Sequence, residues 1–170
     1  NDQFNQLTQL PEQGVANELF SQDRETTKAK VIATPLVYAP GAKTVYSDVD
    51  YMLLCFVIEQ ITGKGIDQYL KETFWDPMGL THITYNPLDN GFTKDQTAAT
   101  ELNGNSRDGV ISFANIREGV IQGTVHDEKA YYAMDGISGH AGLYANATTL
   151  AKLAQVMQNY NGYGTTRLAN

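Results

Sequence analysis

The chain has 170 residues, of which 42% are hydrophobic and 18% charged, so it has the composition of a globular domain and not of a disordered segment. Its formal charge of −7, with only 12 lysines and arginines and no basic cluster, argues against a nucleic-acid partner. The longest apolar run, residues 52–58, is far shorter than the ~20 residues that cross a bilayer. The single cysteine, Cys55, excludes an internal disulfide, and its place in the apolar run predicts a small buried hydrophobic residue.

The first part of the chain predicts two short helices and a connector. Proline at position 11, followed by apolar residues at helical spacing, predicts a helix over 11–21, and a second short helix is predicted over 24–32. Two prolines and a Pro-Gly turn indicate an extended connector over 34–45.

A central helix follows the connector. Ser47 or Asp48 is a suitable N-cap, and Gly63 provides the stop. Both faces of the helix are apolar, one of them carrying Tyr51, Leu54, Cys55, Ile58 and Ile61. A helix that is hydrophobic on all sides is expected to be a core helix surrounded by other elements. A companion helix is predicted over 66–74.

The second half of the chain predicts loops and one closing helix. Residues 85–123 are rich in Asn, Gly, Asp and Thr, so we expect long loops with a short helical turn or two. The closing helix is predicted over 148–160 with an inner stripe of Leu150, Leu153, Val156, Met157 and Tyr160. The Asn-Ala-Thr sequence from Asn146 is more simply a helix cap than a glycosylation site. No stretch alternates like a strand, so the fold is predicted to be mainly α.

The tripeptide Tyr46-Ser47-Asp48 lies at the entrance of the central helix. A phenol keeps its proton until pH ~10, so Tyr46 needs nearby cations or hydrogen-bond donors to act as a base. The positive end of the helix would help, and so would a lysine from elsewhere in the chain. Ser47 could relay a proton, and Asp48 could orient a neighbour or accept from a substrate amide. From spacing alone, the simpler interpretation is favoured: Tyr46 packs on the connector and Ser47 caps the helix.

Two stretches resemble the class C β-lactamase and penicillin-binding-protein-like serine hydrolase family. The first is PGAKTVYSDVDYMLLCFVIEQITGKGIDQYLKETFWDPMGLTHI, and the second is VHDEKAYYAMDGISGHAGLYANATTLAKLAQVM. In that family a Pro-Gly connector leads into a Tyr-x-Asn or Tyr-x-Asp triplet, a Leu-rich helix ending in Thr-Gly, and a helix closing on Trp-x-Pro. The Val-His-Asp segment and the Gly-His-Ala-Gly-Leu turn follow in the same order. A tripeptide alone is a weak signal of the family, but two matching stretches in the same order are a strong one.

The resemblance implies chemistry through a serine acyl-enzyme. The family's nucleophile is the serine of a Ser-x-x-Lys motif, acylated by a D-Ala-D-Ala peptide, a β-lactam or an ester. The resemblance implies that Tyr46 removes and returns the serine proton and that Asp48 faces the substrate and the lysine. The β-lactamases carry asparagine where this chain has Asp48. Because a carboxylate only accepts hydrogen bonds, recognition of a β-lactam side-chain amide is in doubt.

Two motifs of the family are missing from the chain. No serine has lysine three residues later, and the closing Lys/His-Thr-Gly strand motif is absent as well. We therefore expect the helical lobe of a larger β-lactamase/DD-peptidase α/β fold, with little or no sheet of its own. The expected divisions are lead-in helices over 1–33, the motif with its two helices over 34–80, long loops over 81–146, and a closing helix and tail over 147–170. The lobe alone should be inactive, with the missing α/β lobe as its partner.

His126, Asp127 and Glu128, with His140 further along, suggest a divalent-metal site. Successive residues point in different directions, so one metal is hard to share, and a loop held by hydrogen bonds is the favoured interpretation. We therefore predict no metal and no cofactor. By resemblance, His126, Asp127 and His140 border the active-site cleft and shape substrate access.

The expected parent is an extracytoplasmic bacterial enzyme, periplasmic or in the cell envelope, that trims peptidoglycan-type peptides. Hydrolysis of β-lactams or esters is the near alternative. The alternative from another class is a non-catalytic binding module that keeps the helical lobe, and a metal-dependent hydrolase ranks last. An excised lobe would expose an apolar patch where its partner belongs, which often promotes dimerisation.

Overall fold

A computed structural model describes residues 21–36, 38–106, 115–159, 162–163 and 166–167. The helix predicted over 11–21 lies outside this part of the chain, apart from its last residue. Within the described residues the α-helices are α1 (Arg24–Ala33), α2 (Asp48–Thr62), α3 (Ile66–Leu70), α4 (Glu128–Ala133) and α5 (Ala147–Gln158). A wide π-turn, Lys71–Trp75, extends α3, and two short 3-10 turns follow at Pro87–Asn90 and Lys94–Gln96.

Sheet is confined to short antiparallel pairs in the described part of the chain. β1 (Ile83–Thr84) pairs with β4 (Tyr144–Ala145), and β2 (Ala99–Glu101) pairs with β3 (Ile121–Gln122). β5 (Gly162–Tyr163) pairs with β6 (Thr166–Arg167). The described residues are therefore mainly helical with little sheet, as predicted. None of the described helices has the combined length and apolarity needed to cross a bilayer.

The ends of α2 follow from local chemistry and confirm the predicted helix. The Ser47 hydroxyl accepts a hydrogen bond from the Val49 N–H at 3.3 Å, which caps the first turn. Asp48 and Asp50 lie in that turn, at the positive end of the helix dipole. At the other end Gly63 adopts a left-handed φ of 67°, and its N–H bonds to the Glu59 carbonyl at 2.9 Å.

Only one face of α2 is buried, which corrects the prediction of a helix surrounded by other elements. Val49, Met52 and Phe56 pack with Val31 of α1 and with Met134 after α4. On the opposite side Leu54, Val57 and Ile61 are 50–79% exposed; we call these three residues the open face of α2. An apolar sequence predicts that a helix face can be buried. It does not show that the element covering that face lies within the described residues.

A second core joins the π-turn, β1 and α5. Its buried members are Trp75, Met78, Leu80, Ile83, Tyr85 and Val156. The predicted stripe of α5 is wrong at Leu150, which is 50% exposed, whereas Thr149 is buried. At 100° per residue, Thr149 lies between Leu153 and Val156 on the helix surface, and Leu150 lies at the edge. The side chains of Met157 and Tyr160 are outside the described part.

The segment 81–146, predicted as long loops, contains the unpredicted helix α4. The Asp127 carboxylate caps this helix by accepting from the Ala130 N–H at 2.8 Å, and Glu128 follows in the first turn. Ala130, Tyr132 and Ala133 are buried. Six residues show too little periodicity to reveal a helix, and tertiary burial stabilises it instead. The 3-10 turns confirm the predicted short helical turns in the same segment.

Candidate active site at the entrance of α2

The entrance of α2 carries the predicted tripeptide. Tyr46 is 70% exposed, and its ring lies 5.5 Å from the Tyr51 ring. Ser47 acts as the helix cap, and Asp48 is the first helical residue. Connector and helix therefore bring a phenol and a carboxylate together at the positive end of a helix.

Lys129 of α4 completes this group. Its ammonium forms an ion pair with the Asp48 carboxylate, and the two side chains are only 15% and 22% exposed. The chemistry of Tyr46 predicts a lysine from elsewhere in the chain, but the sequence pattern does not identify it as Lys129. The available signal was its position directly after the His-Asp-Glu run of a segment with family resemblance. Identifying it required knowing that α4 packs beside α2.

The surroundings of Tyr46 favour its protonated form. Partial desolvation raises the pKa of Tyr46, the Asp48 carboxylate and Tyr51 raise it further, and Lys129 opposes the shift. With these neighbours Tyr46 holds a proton at neutral pH and can donate it. Tyr46 can act as a base only where further cationic charge acts on it.

Behind the ion pair runs a chain of hydrogen bonds from Asp127 through His140 to Ser138. His140 Nε2 lies 3.1 Å from Asp127 Oδ1, and His140 Nδ1 lies 2.8 Å from the Ser138 hydroxyl. The imidazole is 2% exposed. Burial raises the pKa of Asp127, but hydrogen bonds from His140 and the Ala130 N–H outweigh it and keep that pKa below its usual value. Asp127 is thus an ionised acceptor that fixes the orientation of His140.

Gly139 allows this hydrogen-bonded turn to pack closely against α2. A Cβ built on Gly139 would lie 2.3 Å from the Tyr51 carbonyl oxygen, closer than two such atoms can approach. Only glycine therefore lets the 138–140 turn press against the helix backbone. That close packing sets His140 beside Asp48: one ligand-capable atom from each of Asp48, Asp127 and His140 lies within 4.8 Å of the others.

His126, the remaining predicted residue, does not join the group. Its side chain is exposed, and its carbonyl accepts from the Arg117 guanidinium at 3.0 Å. Arg117 also donates to Asn105 Oδ1 and to the Val125 carbonyl, at 2.7 Å each, and lies 3.7 Å from the centre of the Tyr131 ring. Arg117 thus anchors the loop that leads into α4, and sequence reasoning missed it.

Asp48, Asp127 and His140 together have the chemistry to hold a cation. The Lys129 ammonium already occupies that role beside Asp48. Asp48 binds the Lys129 ammonium, and Asp127 accepts from His140 and from the Ala130 N–H. A metal ion would have to displace Lys129 before Asp48 could serve as a ligand. The favoured interpretation of the His-Asp segment, a loop fixed by hydrogen bonds, agrees with these contacts; that the protein has no resident metal stays a prediction.

Comparisons with known proteins cover nearly the whole chain. The profile of the family described as Beta-lactamase matches residues 6–169. A protein of Escherichia coli K12 described as "Putative D-alanyl-D-alanine carboxypeptidase" is 54% identical over 162 residues, which are 95% of this chain and 37% of that protein. A protein of Salmonella paratyphi B with the same description is 54% identical over 160 residues, 94% of this chain and 37% of its own length.

Solved structures share the fold. The crystal structure of D-amino acid amidase from Ochrobactrum anthropi SV3 complexed with L-phenylalanine matches with a TM-score of 0.54 and 15% identity, over 97% of this chain and 47% of the amidase. At that identity the likeness concerns the fold alone. The chain spans well under half the length of the curated relatives it matches. The family profile, which covers nearly every residue, confirms the resemblance found in the sequence: the chain belongs to the Beta-lactamase family.

Proposed function

We propose that this chain is the helical lobe of a longer serine hydrolase, in which Tyr46 transfers a proton to and from the reacting serine. The observation that carries the proposal is the meeting of three groups at the entrance of α2. These are the Tyr46 phenol, the Asp48 carboxylate and the Lys129 ammonium, in a chain of the Beta-lactamase family. General acid–base transfer needs such a proton carrier with charged groups around it.

The proposed substrate is a peptide ending in D-Ala-D-Ala, cleaved through a serine acyl-enzyme. The names of the relatives at 54% identity support this choice over β-lactam or ester hydrolysis. Such peptides belong to peptidoglycan, so the proposed location is the periplasm or the cell envelope. Asp127 and His140 would then form one wall of the substrate cleft.

Three observations support a missing lobe that carries the nucleophile. The chain lacks a Ser-x-x-Lys motif, and it matches only 37% of the length of its relatives. The open face of α2 is apolar and exposed, as expected of a surface that another part of the protein covers. The 170-residue chain by itself is therefore proposed to be inactive.

The test uses the full-length protein and the Tyr46→Phe variant. Phenylalanine keeps the ring but removes the proton, so acylation by a fluorescent penicillin and release of D-alanine from a D-Ala-D-Ala peptide should slow ~10²–10⁴-fold. Tyr69→Phe, which removes a hydroxyl from α3 away from the site, is the matched control and should react as the wild type does. Equal rates for Tyr46→Phe and wild type would disprove the catalytic role of Tyr46.

The absence of the nucleophile also supports the second candidate, a binding module without catalysis. The reading frame around the chain separates the two. A Ser-x-x-Lys motif upstream favours the hydrolase, and a frame without one favours the module. Covalent labelling of the isolated 170-residue chain by penicillin would contradict both candidates.

A further inference from the structure

Asp48 creates an electrostatic problem for the proposed role of Tyr46. A phenol that gives up its proton leaves a negative charge, and the Asp48 carboxylate beside it already carries one. This carboxylate is one of the groups that raise the pKa of Tyr46. A neutral residue in its place would not oppose the phenolate. A chain with aspartate here therefore needs a compensating positive charge nearby.

Lys129 is placed to supply that charge. It lies in the first turn of α4, and its side chain reaches across to Asp48 with only 15% of its surface exposed. Screening by water is weaker at such a site than at the surface. Lys129 also acts directly on Tyr46, since it lowers the pKa that Asp48 raises.

The other charged and titratable groups around the pair do not provide this compensation. Asp127 adds a second negative charge behind Asp48, and its partner His140 is already hydrogen-bonded to it. Tyr51 of α2 acts on Tyr46 in the same direction as Asp48. Of the neighbouring groups named here, Lys129 is the one that opposes the raised pKa of Tyr46.

We propose that Lys129 is a positioning residue for proton transfer by Tyr46: its ammonium holds and neutralises the Asp48 carboxylate, so that the neighbouring phenol can release its proton. This inference rests on the proposed function of Tyr46. It names Lys129 as the residue whose charge offsets the effect of Asp48 on the neighbouring phenol. Lys129 acts through Asp48 and through its own charge on Tyr46, and it needs no contact with the substrate.

The experiment follows the titration of Tyr46 in the full-length protein and in the variants Lys129→Met, Lys129→Arg, Asp48→Asn and the double variant Lys129→Met/Asp48→Asn. The chain has 10 tyrosines. The Tyr46 signal is therefore obtained by subtracting the tyrosinate absorbance of each variant carrying Tyr46→Phe. Lys64→Met, which removes the exposed ion pair with Glu72, is the matched control.

Lys129→Met should raise the pKa of Tyr46, so that a several-fold smaller fraction of Tyr46 is phenolate at a given alkaline pH. Asp48→Asn should lower that pKa, and the double variant should return close to wild type because both charges are gone. The double variant leaves no unpaired buried charge, so it is expected to fold even where Lys129→Met does not. Lys129→Arg keeps the positive charge and should titrate as wild type, as should Lys64→Met.

A Lys129→Met protein that titrates as wild type would overturn the inference, and so would a double variant that titrates like Lys129→Met alone, because the shift would then not depend on Asp48. The first result would mean that another cation, such as a lysine from the rest of the protein, neutralises Asp48. The titration needs no substrate, so it is independent of the proposed function. Failure of penicillin labelling in the wild type would disprove the hydrolase, whereas opposite shifts in the single variants would still support the pairing.

Discussion

At the scale of single residues, one carboxylate oxygen of Asp127 makes two interactions. Asp127 Oδ1 accepts from the Ala130 N–H, which starts α4, and from His140 Nε2, which fixes the buried imidazole. The first interaction sets the position of Lys129, and the second holds the His140 side chain beside Asp48. Asp127, which the sequence predicts to lie in a hydrogen-bonded loop and, by resemblance, at the border of the cleft, therefore also supports the Asp48–Lys129 pair.

Asp127→Asn should be less stable than wild type by about 1 kcal/mol at pH 7, a value reduced for the partial exposure of the carboxylate. Asparagine can still cap α4, but the charged bond to His140 is lost. Because folding lowers the pKa of Asp127 from 3.8, its stabilisation is complete above that pH and disappears as the pH falls through the folded pKa. Urea unfolding at pH 7 and again at pH 3 would measure this.

The control for this experiment is Asp95→Asn, which changes an exposed carboxylate in a 3-10 turn. Its free energy of unfolding should differ from wild type by less than ~0.5 kcal/mol at both pH values. A deficit in Asp127→Asn that is equally large at pH 3 would contradict the assigned role of the carboxylate.

At the scale of elements, Glu59 ties three helices together. Its carboxylate binds the Arg24 guanidinium of α1 at 2.9 and 3.1 Å, and it accepts from the Ile66 N–H of α3 at 3.3 Å. Cys55, one turn earlier in α2, lies beside this ion pair. Burial, followed by the Glu59 charge, raises the pKa of Cys55 to about 12, so the thiol stays protonated as a buried residue, as the sequence predicted.

Glu59→Gln should lower the free energy of unfolding by about 2 kcal/mol, because it leaves the mostly buried Arg24 side chain, which is 19% exposed, without its charged partner. Asp76→Asn is the matched control, since the Lys71–Asp76 pair is more than half exposed and should contribute less than ~1 kcal/mol. Chemical denaturation of both variants gives the comparison. Equal losses in the two variants would mean that burial of the ion pair makes no difference.

At the scale of the whole molecule, the open face of α2 determines how the chain behaves on its own. Leu54, Val57 and Ile61 fall within a 60° arc of the helix and are half or more exposed. We propose that the rest of a longer protein covers this surface, and that a second copy covers it when the chain is alone. The same helix is buried on its other side, so the open face adds little to the stability of the lobe itself.

The isolated chain should therefore form dimers, and Ile61→Glu should shift it towards monomer with less than ~0.5 kcal/mol change in unfolding free energy. A charge at a contact between copies is costly, whereas at an exposed position of a monomer it is not. Sedimentation at several concentrations would measure this. Leu102→Glu, at an exposed loop position, is the control and should leave the association unchanged.

A monomeric wild-type chain at concentrations well above those used for the assays would contradict the prediction. A dimer that Ile61→Glu leaves intact would place the contact elsewhere on the molecule. In the full-length protein the same substitution should instead lower the stability, because there the face is proposed to be covered.

The sequence by itself determined the features that depend on a few neighbouring residues. Ser47 and Gly63 fixed the two ends of α2, Asn146 capped α5, and the scarcity of alternating patterns indicated how little sheet the described chain contains. The ordered motifs around Tyr46 and His140 identified the family. These signals are local because caps and turns are made by backbone groups within about four residues.

Only the tertiary structure decided which distant residues meet. The contact of Lys129 with Asp48 spans 81 positions of the sequence, and that of His140 with Asp127 depends on a glycine turn pressed against α2. Likewise, an apolar pattern on all sides of α2 could not show which face would be buried. Such contacts arise from the packing of elements far apart in the chain, and the sequence pattern of each element records its own periodicity but not its partner.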